Sequence, residues 1–269
     1  MSNSIVVKPL PFASVSASST AAGYDAAYVG NDYMGVVWKS AAGAASRTIT
    51  VDMGANVTID TAVLLGCTGA DANWTLKVEA ATSAQGSGFP AGSWVGDTLP
   101  FLAGSEMPVS GRGRALWLAP ASPPPAARYW RFTVGGLGTG AATIGRLVLG
   151  RKIQLAENVV YGAAFGVRDL GSMDFSRRGV PLRQRGKKLR TINVSYEAVT
   201  RAEVESYINP LLEELGNSDP LAFILDPDAD AQRQNRIWFG VMIGDLGTVW
   251  AKPGGGGHEW RASIVDLGA

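Results

Sequence analysis

The feature that most constrains this chain is a period of two. In ARYWRFTV (127–134), Trp130, Phe132 and Val134 fall on one side of an extended backbone, with Tyr129, Arg131 and Thr133 on the other. The alternation recurs in RTITVDMG (47–54), where Ile49, Val51 and Met53 oppose Thr48, Thr50 and Asp52. It recurs again in NWTLKVEA (73–80), where Trp74, Leu76 and Val78 oppose Thr75, Lys77 and Glu79. Short runs of this kind bury their apolar residues only by pairing into sheets with one face turned inward. The material between them agrees. The chain's 34 Gly and 14 Pro concentrate in stretches such as SAQGSGFPAGSW, ASPPPAA and GGLGTG, which supply turns rather than helices.

The runs also divide the chain. Residues 1–24, rich in Ser, Ala and Thr, are expected to form an extended arm, and 25–150 an antiparallel β-sandwich. Residues 82–115 are expected as loop, and GGLGTG (135–140) as a hairpin turn. Residues 151–269 are expected as a second β domain. There Ile192, Val194 and Tyr196 alternate with Asn193, Ser195 and Glu197, and PLAFILDP, RIWFGVMIG and HEWRASIVDLG supply further strands. One helix is predicted over about 201–215. Thr200 and Glu203 form a capping box, Val204, Tyr207, Ile208, Leu211, Leu212 and Leu215 give the apolar stripe, and Gly216 ends it. Pro210 should kink that helix. The expected fold class is mainly β with one α-helix.

Catalytic chemistry is sparse. The sole histidine, His258, sits beside a glycine run that makes a poor platform for an oriented base, and no G-x-S-x-G elbow accompanies it. Cys67 is the sole cysteine, so neither an internal disulfide nor a cysteine metal site is available; its apolar run AVLLGC suggests a buried thiol. In DPDADAQRQNRI (226–237), Asp226, Asp228 and Asp230 imitate the start of a calcium loop, but Ala231 and Ile237 stand where glycine and glutamate are needed. An acidic turn is expected there, with a weak ion site left open. No catalytic residue, metal or cofactor is expected, and the chain is read as a non-enzyme. The N-terminus lacks a charged segment followed by an apolar one, and no apolar run approaches the ~20 residues that span a bilayer. Folding in a cytosol without membrane insertion is expected.

The net charge of +1 argues against a dedicated nucleic-acid binder. One cluster stands out locally. RRGVPLRQRGKKLR carries Arg177, Arg178, Arg183, Arg185, Lys187, Lys188 and Arg190 with no acid among them and no interleaved aromatics, the first six being the candidate site residues. Two readings stay open: a solvated hairpin, or a docking arm that pairs with acidic neighbours.

Two resemblances follow from the placed segments. Trp38, ITVDMG (49–54), IDTAVLLG (59–66), NWTLKVEA and RYWRFTV, in that order, resemble a galactose-binding-like jelly-roll sandwich of the discoidin or factor 5/8 type C kind. Such a module followed by a β-sheet domain with one helix looks like a minor tail protein of tailed bacteriophages, in particular a distal tail or tail-tip ring protein. GKKLRTINVSYEAVTRAEVESYINPLLEEL is similar in layout to the strand-then-helix part of their tail-tube-like ring domain, and RRGVPLRQRG falls where they carry an inter-subunit loop. That resemblance implies a structural virion protein assembled in the host cytoplasm, a homo-oligomeric ring (a hexamer) joining the tail tube to tail-tip hub proteins, and an interface through the six basic residues. The alternative it leaves is a carbohydrate-binding module recognising cell-surface glycan, with Tyr28, Asp32, Tyr33 and Trp94 as loop candidates.

Overall fold

The structure is a computed structural model that describes residues 2–252 and 257–268. The chain is mainly β and separates into two compact units. The first comprises the residues up to Gln154 together with Ala222–Ile237; the second comprises Leu155–Leu221 and the stretch from Trp238 onward.

The first unit is a sandwich. One sheet has five strands in the order β2 (Ser14–Ala17), β4 (Ser46–Val57), β9 (Ala127–Gly135), β6 (Thr75–Ala81), β7 (Trp94–Pro100). Facing it are a three-stranded sheet, β11 (Arg146–Gly150), β5 (Thr61–Thr68), β8 (Arg112–Leu118), and the short pair β10 (Thr143–Ile144) and β3 (Trp38–Lys39). The alternation in β9 sorts as its sequence requires: Trp130, Phe132 and Val134 are fully buried, while Tyr129, Arg131 and Thr133 remain half-exposed. Trp130 meets Trp117 edge-on at 6.1 Å, and Trp74 meets Phe101 likewise at 5.3 Å, a geometry that aromatic quadrupoles favour. Each such buried ring contributes about 1.5–3 kcal/mol from the area it removes from water. β5 is buried on both faces, which is why TAVLLGC reads as a continuous apolar run. Burial pushes the Cys67 thiol far up, leaving it inert.

Several expectations change here. Residues 1–24 are not a free arm. β1 (Ile5–Val7) is buried between β12 (Lys152–Ile153) and β17 (Leu221–Ile224), and β2 is paired with β4. The stretch 82–115 holds β7 and the start of β8 rather than loop alone. GGLGTG is not a hairpin turn: β9 and β10 belong to different sheets, so the glycines carry the chain across the sandwich. Gly136 has φ +73°, and a side chain there would collide with the Asn73 carbonyl, so glycine is required. β9 is the central strand of its sheet, not an edge, and its arginines bridge to both neighbours. Finally, residues 222–237 group with the first unit. Buried Gln234 accepts from the Arg114 backbone N–H at 2.8 Å and donates to the Gly104 carbonyl, and the Arg114 side chain donates to the Ile237 carbonyl.

The second unit is built on β16 (Lys188–Val199), which pairs with β13 (Ala164–Asp169) on one side and β20 (Gly257–Asp266) on the other. The far side of β20 is shared by β18 (Ile237–Ile243) and β19 (Thr248–Lys252). Tyr196 stacks on Trp260 at 5.1 Å. The helix follows β16 as α1 (Arg201–Glu203), a π-helical stretch Val204–Ile208, and α2 (Asn209–Leu215). The capping box forms as expected, with the Glu203 amide donating to the Thr200 hydroxyl at 3.2 Å and the Thr200 amide to the Glu203 carboxylate at 2.9 Å. Val204, Ile208, Leu211 and Leu215 are buried, whereas Tyr207 is half-exposed and stands off the stripe. The wide turn lies just before Pro210, whose ring would clash with the carbonyl one turn back, and here the Asn209 amide reaches five residues back to Val204.

Candidate interaction sites

Beyond the sheet of the second unit, β13 and β16 continue as a two-stranded ribbon. Past Asp169 and Lys188, the Leu170 amide still bonds the Lys187 carbonyl, and then β14 (Ser172–Phe175) pairs with β15 (Pro181–Gln184). The joint needs glycine on both strands, because a side chain on Gly186 would collide with the backbone of Leu170 and Gly171. A turn at Ser176, closed by the Val180 amide on its hydroxyl at 3.1 Å, ends the ribbon. Between 164 and 188 every residue except Gly171 and Ser176 is exposed.

The structure places the six basic candidates together on this ribbon. Arg177 and Arg178 are at its tip, Arg183 is in β15, Arg185 and Lys187 lie in the returning strand, and Lys188 begins β16. Sequence reasoning missed the apolar residues beside them. Met173 pairs opposite Arg183 and Phe175 opposite Pro181, so these four share one face, with Met173 and Phe175 59% and 58% exposed. Leu182 is exposed as well, and at the root of the ribbon, on β13, so are Val167 and Phe165, the latter with its ring 6.0 Å from Trp238. Lone surface apolar residues are ordinary, but a run of them on a two-stranded ribbon without a core of its own is not.

A second cluster lies in the first unit. Tyr28 sits in a single 3-10 turn, Ala26–Gly30, which the Asp25 carboxylate caps by accepting from the Ala27 amide at 2.8 Å. Asn31 fixes the following loop by accepting from the Tyr33 amide at 2.7 Å and donating to the Tyr28 carbonyl at 2.5 Å. Asp32 pairs with Arg146 at 3.2 Å. Burial pulls that arginine below its usual pKa, and Asp32 opposes the shift. Tyr33 is 77% exposed, and Tyr24, Asp25 and Tyr28 line a shallow hollow of about 310 Å³. Tyr28, Asp32 and Tyr33 thus come from one loop. Trp94 does not join them. It lies on β7 opposite Ala80, packs edge-on against Trp117 at 6.0 Å, and is half-buried against the core. The 3-10 turn packs near β2, at the opposite edge of the five-stranded sheet.

A hollow of about 840 Å³ in the first unit opens between β7, β8 and the segment 229–233. Its lining is chiefly apolar, with Trp74, Leu102, Met107 and Leu116 prominent. The three aspartates that imitate a calcium loop are taken up by protein donors: Asp226 and Asp230 both accept from Arg236, at 2.9 and 3.1 Å, and Asp228 accepts from the Ser2 amide at 2.8 Å. Among the described residues there is no group of three or more His, Cys, Asp or Glu side chains placed to hold a metal ion. His258 stacks on Trp250 at 5.5 Å, and among the described residues neither of its ring nitrogens meets a hydrogen-bond partner and no carboxylate orients it as a base. Of the glycine run beside it, 254–257, residues 254–256 lie outside the described residues.

No protein-family model and no curated protein matches the chain. Solved structures similar to it include small modules. Chitosan-binding module 1 from a Paenibacillus sp. IK-5 chitosanase/glucanase is 19% identical, covering 53% of this chain and 98% of its own, with a TM-score of 0.39. The lectin domain of lectinolysin, solved with Lewis B antigen, is 15% identical over 51% of this chain and 92% of its own, with a TM-score of 0.37. CBM32-3 from a Clostridium perfringens family 31 glycoside hydrolase is 18% identical over 50% of this chain and 87% of its own, also at 0.37. Identities and superpositions at this level assign this chain neither a ligand nor an activity.

Proposed function

We propose that this chain is a non-catalytic assembly protein whose exposed ribbon, 164–188, is its docking element. One observation carries the proposal: a 25-residue, two-stranded segment that presents both cations and apolar side chains to solvent over almost its whole length. An isolated hairpin gains little stability in water, and apolar side chains gather on a protein surface where a partner covers them. The sequence resembles ring-forming minor tail proteins in the order of its segments, and on that resemblance a tail-tip ring of a tailed phage is the assembly we assign to it. The experiment is to replace 172–184 with a short Gly/Ser link. We expect a folded chain with an unchanged melting transition that no longer assembles, whereas the intact chain forms closed rings in electron micrographs. Assembly that survives the deletion would overturn the proposal.

The tyrosine loop favours a second reading, glycan recognition. Sugars bind on exposed aromatic faces flanked by a few fixed polar groups, and Tyr33, Tyr28 and Asp32 supply such a set on a loop pinned by Asn31. Tyr33→Ala should reduce binding to any glycan the chain retains on an array by ten-fold or more, roughly the 1.4 kcal/mol that one such contact carries. An array with no hits would remove this reading.

A further inference from the structure

The ribbon and the helix of the second unit carry opposite charge. Residues 164–188 hold seven Lys or Arg against Asp169 and Asp174, a net of +5. Residues 197–219, which contain the helix, hold six Asp or Glu against Arg201, a net of −5. Glu197, Glu205, Glu213, Glu214 and Asp219 among them are exposed, as is half of Tyr207. Outside the ribbon the chain is net −4, since the whole chain is +1.

The two poles stand at opposite ends of one strand. The ribbon leaves the sheet at Lys188, where β16 begins, and the helix starts at Thr200, directly after β16 ends. Twelve residues of strand separate them, about 36 Å at roughly 3.3 Å per residue. That is several Debye lengths at physiological salt, so the root of the ribbon and the start of the helix do not screen one another within one chain. Opposite charges fixed at the two ends of a rigid element attract head to tail, which is the heterologous contact that generates rings or filaments.

Resting on the assignment of the ribbon as the docking element, we propose that its partner is the acidic helix, 197–219, of a second copy of this chain. Arg177, Arg178 and Arg183 meet Glu205, Glu213 and Glu214, while Met173 and Phe175 are covered in the same contact. The charges set orientation and encounter rate, and the apolar face supplies the desolvated centre.

The test is charge reversal on the full chain, followed by sedimentation velocity. Arg177→Glu/Arg178→Glu/Arg183→Glu should weaken self-association roughly 100-fold, and so should Glu205→Lys/Glu213→Lys/Glu214→Lys. A chain carrying all six changes should associate again, which also shows that the parts still fold. An equimolar mixture of the two triple variants should also assemble, because each variant's ribbon then meets a helix of opposite charge on the other. If the ribbon variant is monomeric while the helix variant assembles like the wild type, this inference is overturned and the docking role of the ribbon stands. A six-fold variant that stays monomeric, or a wild type monomeric at high concentration, likewise overturns it.

Discussion

Arg131 and Glu79 lie directly opposite each other on β9 and β6 and meet through two parallel hydrogen bonds, at 2.7 and 2.8 Å. Glu79 is 8% exposed, and this guanidinium, joined by the Lys77 ammonium at 3.7 Å, replaces the water it gives up. Phe89 covers the pair, its ring 4.1 Å from the guanidinium, and holds a φ of +52° to do so, a conformation that costs a non-glycine residue of order 1–2 kcal/mol. Arg128 makes the equivalent fork to Asp52 on the other neighbour of β9, at 2.7 and 2.9 Å. The Arg131 hydrogen bonds hold the Glu79 carboxyl below its usual pKa, and Arg128 does the same for Asp52. A carboxyl depressed in the folded state stabilises above its unfolded pKa, about 4, and loses that contribution as pH falls through the lower folded value. Arg131→Ala should therefore cost about 2 kcal/mol in urea unfolding at neutral pH, because it leaves a buried carboxylate with the Lys77 ammonium as its remaining charged partner. Adding Glu79→Gln should recover part of the loss. The same variant should show a shallower fall in stability below pH 4. A loss under about 0.5 kcal/mol would mean that solvent reaches Glu79 after all.

At the scale of elements, most of the strand and helix pattern was readable beforehand. The faces of β4, β6, β9 and β16, and the capping box at Thr200, follow from alternation and from one side chain reaching one turn. These are local matters of covalent geometry. The irregularities were less visible. β16 loses register between Tyr196 and Val199, and Ala198 there takes φ +56°. Such a conformation costs an L-residue about 1–2 kcal/mol, while glycine loses about 0.5–1 kcal/mol more chain entropy on folding than alanine. Ala198→Gly should therefore raise stability by about 0.5 kcal/mol, read as an upward shift of the melting midpoint. A downward shift would mean that the bulge is held without strain. Sequence pattern also placed Tyr207 on the buried stripe; the π-helical turn before Pro210 rotates it outward.

At the scale of the molecule, a net charge of +1 conceals segregation into a basic ribbon and an acidic helix at the two ends of β16. The basic run itself was plain in RRGVPLRQRGKKLR, and both the solvated hairpin and the docking arm were compatible with it. What favours docking is the set of exposed apolar residues between the cations, and exposure is not a property of a string of letters. Likewise Tyr28, Asp32 and Tyr33 were legible as a loop, whereas Trp94 was not legible as core, since nothing near it in sequence names Trp117 as its neighbour. The sequence by itself determined which short segments extend, which of their faces are apolar, and where the one helix starts, because those depend on side chains two to four residues apart. Only the tertiary structure decided that β9 is central, that GGLGTG crosses between sheets, that 222–237 belongs with the first unit, and that the ribbon has no core beneath it. Each of these depends on which distant surfaces exclude water from one another, and period-two patterning is the same whichever partner a strand finds.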